Sequence, residues 1–155
     1  MAVRTETVNP TWRDGRVTSW LTTLDHKRIG ILYIVNSFVF FFAAGLLALV
    51  VRSELAVPGL QFLDERTYNQ AFTMHGTIMI FLFVVPVLSG FANYIVPLQL
   101  GAPDMAFPRI NALSLWMLPL GGILLLSSFF VGGSAAAGWT SYPPLAAEGP
   151  LNSPG

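Results

Sequence analysis

Cysteine is absent from this chain of 155 residues, and histidine occurs only at His26 and His75. Without thiols there is no disulfide scaffold, and two imidazoles alone complete neither a three- or four-ligand zinc site nor an iron–sulfur cluster. Charge is equally scarce: Asp, Glu, Lys and Arg make up 10% of the residues and cancel to a formal net charge of zero. Soluble domains carry roughly 25% charged residues, and nucleic-acid binders carry a basic stripe that is missing here. Both classes are therefore disfavoured, and nucleic acid is not expected as a partner.

What fills the chain is apolar: 54% of residues are hydrophobic. Three stretches, 29–51, 71–97 and 111–131, reach the roughly 20 residues needed to cross the hydrocarbon of a lipid bilayer. Turn residues punctuate them, with Pro58-Gly59 after the first and Gly101-Ala102-Pro103-Asp104 before the third. The expected fold is an all-α membrane protein. It comprises an N-terminal segment 1–28, three transmembrane helices within 29–132, and a tail 133–155.

Residues 1–28 include Glu6, Asp14 and Asp25, unlike a cleavable signal peptide, so the first span is expected to be retained. Arg4, Arg13, Arg16, Lys27, Arg28 and Arg109 fall on one side of the spans, and Arg52 and Arg66 on the other. That asymmetry places the N-terminus in the cytoplasm and the tail outside.

His75 breaks the second stretch. An ionisable group at membrane depth requires compensation, and two readings stand: a hydrogen bond to a neighbouring helix, or ligation of a haem, which needs only one or two protein ligands. Gly76 beside it leaves room for a flat macrocycle. A second span starting at Ala71 puts His75 about 6 Å below its outer end, near the level of Arg52 at 1.5 Å per residue. Arg52 is then either an anchor at a helix end or a donor to a cofactor at that depth.

Glu54, Gly59 and Gln61 offer oxygens for a hard cation such as calcium. Asp104 reads as a helix cap or, with the amides of Asn93 and Asn111, as a proton-gathering carboxylate at the mouth of a wet seam. Trp139 and Tyr142 read as an interfacial aromatic belt.

Five blocks then resemble one family. They are Leu24-Asp25-His26-Lys27-Arg28-Ile29-Gly30, Arg52-Ser53-Glu54-Leu55, Tyr68-Asn69-Gln70-Ala71-Phe72-Thr73-Met74-His75-Gly76, Pro97-Leu98-Gln99-Leu100-Gly101-Ala102-Pro103-Asp104-Met105-Ala106-Phe107-Pro108-Arg109 and Gly138-Trp139-Thr140-Ser141-Tyr142-Pro143-Pro144-Leu145. Together they resemble subunit I of the haem–copper oxidases, in its bacterial cytochrome c oxidase form.

The resemblance implies that His75 is an axial ligand of a low-spin haem A and that Arg52 bonds the haem formyl group. It also implies that Tyr68 lies in the cofactor site and that Trp139 bonds a propionate of the second haem. Asp104 becomes the inlet of the proton path, with Asn93 and Asn111 organising its water. Glu54 and Gly59 become a calcium or sodium site.

The implied parent is a proton pump of the bacterial plasma membrane. It has about a dozen helices, works with subunits II and III, and reduces dioxygen with electrons from cytochrome c. The second axial histidine, the copper ligands and the rest of the proton path are not in this sequence, so the resemblance is to a fragment, not itself expected to be active. The alternatives are a quinol oxidase subunit, a haem-carrying electron-transfer module, or a structural membrane protein without cofactor.

Overall fold

The computed structural model describes residues 17–59, 61–143 and 146. Arg4, Arg13 and Arg16, which entered the charge asymmetry, lie outside the described residues, as do Pro144, Leu145 and most of the remaining tail. The described residues form helices without strands: α1 (Val17–Leu21), α2 (His26–Glu54), α3 (Glu65–Leu100) and α4 (Pro108–Ser127), the last continued by a 3₁₀ turn, Ser128–Phe130. Three of them, α2, α3 and α4 with its 3₁₀ extension, are long and apolar enough to cross a membrane.

Each helix starts and stops for a local reason. Asp25 caps α2, its carboxylate accepting the Lys27 amide at 2.9 Å. α3 ends at Gly101, whose φ of 66° is the left-handed conformation that glycine adopts without a Cβ penalty; the Ala102 amide then reaches back to the Pro97 carbonyl at 2.9 Å. Pro108 opens α4 at a position where its missing N–H costs nothing.

Within α3, Pro86 has no N–H to offer the Leu82 carbonyl, and its ring crowds that turn. The backbone widens there into a π turn, Met79–Val84. All three spans are longer than the hydropathy pattern indicates. α3 gains most, because its first turns, from Glu65 to Gln70, are polar and invisible to a search for apolar runs.

Lipid is as apolar as leucine, so these helices associate through close packing at small residues. A Cβ at Gly90 would sit 2.9 Å from the Gly30 carbonyl oxygen, so α2 and α3 nearly touch at their backbones. Gly122 of α4 receives the Phe40 ring of α2, which would lie 2.1 Å from a Cβ there. Between these contacts lie two small cores, Phe40, Ala44, Ile78 and Leu82 in one and Ile29, Tyr33 and Leu115 in the other. The most apolar stretches of the spans are only 17%, 22% and 11% buried against the other described residues, which leaves broad apolar faces for lipid or further helices.

Candidate functional site

His75 sits on α3, ten residues past Glu65, about 15 Å from the start of that helix at 1.5 Å per residue. This corrects the shallow depth inferred from a span starting at Ala71. Its Nδ1 lies 2.9 Å from the carbonyl oxygen of Ala44, a fully buried residue of α2. A carbonyl only accepts, so Nδ1 carries the proton and donates. Nε2 is then the nitrogen with the free lone pair, the state of an imidazole prepared to bind a metal, with a carbonyl fixing its tautomer and ring plane.

At the opposite end of the helices, His26 opens α2 and Asp104 lies in the connection between α3 and α4. The His26 Nδ1 and Asp104 Oδ1 atoms are 3.2 Å apart across 78 residues of sequence. His26 is 3% exposed, whereas the Asp104 side chain is 39% exposed. Asp104 does not cap α4: the capping position belongs to Phe107, and the Asp104 carboxylate accepts the neighbouring Met105 amide at 2.7 Å.

Further into the bundle, the Tyr33 hydroxyl of α2 and the Ser114 hydroxyl of α4 share a hydrogen bond of 2.8 Å, and Ser114 donates to the Asn111 carbonyl. Tyr33 packs beside Gly90, one turn from Asn93 on α3. Three buried atoms at this end, His26 Nε2, Asn93 Oδ1 and Asn111 Nδ2, have no partner among the described residues. Buried polar atoms require partners, and water is the one that fits a polar seam between helices.

Comparison with known proteins sets these features in a family. The sequence model described as "Cytochrome C and Quinol oxidase polypeptide I" matches residues 28–153. The chain belongs to this oxidase family. Among its relatives are the protein of Corynebacterium efficiens named cytochrome c oxidase subunit 1, 54% identical over 140 residues, and that of Synechocystis sp. with the same name, 59% identical over 122 residues. The alignments take in 88% and 79% of this chain but 24% and 22% of those relatives, so the chain spans about a quarter of their length. A putative subunit 1-beta of Streptomyces coelicolor is 57% identical over 127 residues, covering 81% of this chain and 22% of that relative.

Within this family member, the remaining sequence-nominated residues lie towards the other end of the helices. Arg52 is exposed on α2, eight residues beyond Ala44 and hence about 12 Å nearer that end than the His75 contact. The two residues therefore do not share a level. Tyr68 precedes His75 by seven residues, two helical turns on the same face of α3. The connection after α4 is pinned to α3 beside His75: the Gly138 amide donates to the Thr73 hydroxyl at 2.9 Å, and Trp139 packs on Gly76. The indole of Trp139 thus lies beside Gly76, with the Phe81 ring centred 6.5 Å from it.

In the Glu54–Gly59 region the oxygens are engaged within the chain. Glu54 is buried, and its carboxylate accepts the amides of Gln61, Phe62 and Leu63, while the Gly59 carbonyl accepts from the Gln61 side chain. Glu54 thus clamps the turn between α2 and α3, which reverses at Gly59 with a φ of 92°.

Sequence reasoning missed three residues at the Asp104 end: His26 as the partner of Asp104, and the Tyr33–Ser114 pair. His26 carried a signal, since it sits in the charged flank of the first span with Asp25 beside it, but nothing in the sequence brings residue 104 to it. The hydroxyl of Tyr33 falls within an otherwise apolar span, and that is the only trace of its role.

Proposed function

We propose that this chain forms the part of a haem–copper oxidase subunit I that offers one axial ligand to the low-spin haem and opens a proton path. The single observation that carries the haem reading is the Nδ1–H bond from His75 to the Ala44 carbonyl, because it leaves Nε2 free as a ligand within a span. Haem A bound there supplies one-electron transfer towards the site of dioxygen reduction. The second haem and copper take their ligands from the rest of subunit I. Arg52 would donate to the formyl group of the bound haem. Tyr68 lines the same face, and Trp139 donates towards a propionate. The relatives named cytochrome c oxidase favour cytochrome c over a quinol as donor, within a complex that includes subunits II and III.

Asp104 collects protons from the aqueous phase. His26 accepts at one nitrogen and gives at the other, and Asn93, Asn111, Tyr33 and Ser114 line the way inwards. The partly exposed Asp104 beside the buried His26 supports this direction of travel. The N-terminus then faces the cytoplasm of a bacterium, in its plasma membrane. The reduced-minus-oxidised visible spectrum of the complex containing this chain, recorded with its oxygen uptake, tests the reading. A reduced α band with oxygen consumption is expected. A colourless complex contradicts the haem assignment, and a haem spectrum without oxygen uptake contradicts the oxidase assignment.

A further inference from the structure

The surface where α4 begins carries a feature that neither haem ligation nor proton uptake uses. A cavity of about 400 Å³ opens there, lined by Leu24, Ala106, Phe107, Pro108, Arg109 and Ile110. That volume falls in the range of roughly 300–1,000 Å³ typical of ligand sites. Its walls are apolar except for one cation, and Phe107 and Ile110 are 70% and 64% exposed.

Arg109 has no carboxylate within ion-pair distance among the described residues. Phe107, at the capping position of α4, gives no side-chain hydrogen bond to the free amides of the first turn, and that turn holds no acidic residue. A full positive charge and the positive end of a helix of 20 residues therefore coincide at the rim of an apolar hollow.

The location narrows the occupant. α4 enters the membrane here, at the end of the bundle that carries His26 and Asp104. An amphipathic molecule, anionic at the water boundary and apolar below it, matches both halves of the site. A free anion leaves the apolar walls unused, and an apolar helix leaves the cation unmet.

We propose that this cavity seats one anionic phospholipid of the adjoining leaflet, with its phosphate on Arg109 and the α4 amides and its acyl chain against Phe107 and Ile110. The proposal rests on the membrane-spanning helices and not on the haem reading. The lipid would brace the connection 101–107, and with it Asp104, against the bilayer surface.

The test uses the complex containing this chain, purified in mild detergent, with added phosphatidylglycerol counted by native mass spectrometry. The intact protein is expected to hold one phosphatidylglycerol that Arg109→Gln binds about fivefold more weakly, the effect of one basic contact at an anionic surface. Arg109→Lys should keep most of the binding, and excess inorganic phosphate should not displace the lipid. A photoreactive phosphatidylglycerol, applied to the unsubstituted complex, should mark residues 106–110, which keeps the test independent of whether a variant folds. Equal retention by Arg109→Gln, displacement by phosphate, or a lipid adduct only elsewhere because another polypeptide covers this face would each overturn the proposal.

Discussion

His26 Nδ1 and Asp104 Oδ1 meet at 3.2 Å, joining the first residue of α2 to the connection between α3 and α4. An imidazole 3% exposed, whose second nitrogen finds no partner among the described residues, faces a carboxylate that water can reach. The pair lies at the end of the bundle that holds the buried amides of Asn93 and Asn111.

The first prediction separates proton carriage from scaffolding at this pair. Asp104→Asn retains an acceptor for the Met105 amide but cannot carry a proton. It should assemble normally and slow proton uptake by on the order of a hundredfold, the low end of what a positioned proton carrier contributes. His26→Ala should slow uptake less, because Asp104 is itself exposed to water. Flow-flash measurement of proton uptake in the complete oxidase checks both, and undiminished uptake in Asp104→Asn would reduce Asp104 to a turn residue.

The helix contact predicts a contrast between glycines. At Gly90 an added methyl meets the Gly30 carbonyl oxygen at 2.9 Å and Ile34 at 2.8 Å, so Gly90→Ala should cost about 1–3 kcal/mol and lower the Tm in detergent. At Gly121 nothing among the described residues lies within 4 Å, and Gly121→Ala should be neutral or slightly stabilising, since glycine is a poor helix former. Equal melting of the two variants would remove the close crossing of α2 and α3.

Arg52 is predicted to polarise the formyl group of the low-spin haem. Arg52→Met in the complete oxidase should move that haem's absorption band to shorter wavelength, because a charged donor is lost. A stationary band would leave Arg52 as an anchor at the end of α2.

Orientation is tested by labelling. Val131, 79% exposed after α4, and Ala106, exposed before it, lie at opposite ends of that helix. An impermeant thiol reagent applied from outside intact cells should label Val131→Cys and spare Ala106→Cys. The reverse pattern would invert the topology.

The three spans were legible because lipid imposes a single demand, an uninterrupted apolar run, and sequence displays such runs directly. Their ends were less so: Glu65 to Gln70 are helical yet polar, and losing those turns put His75 four residues into its helix where the structure has it ten residues past Glu65. His75 and Asp104 stood out as ionisable groups in or beside apolar surroundings. Their partners did not, because the Ala44 carbonyl carries no sequence signal and the His26 contact depends on how α2 meets the connection after α3. The partners of Glu54 were hidden in the same way, since the turn that follows folds its amides back onto the carboxylate.

His75 is proposed to bind haem iron through Nε2, and the low-spin haem signal of His75→Ala in the complete oxidase decides whether it does. Loss of that signal, with its retention in His26→Ala at the far end of α2, is the predicted result. A full low-spin signal in His75→Ala would contradict the account.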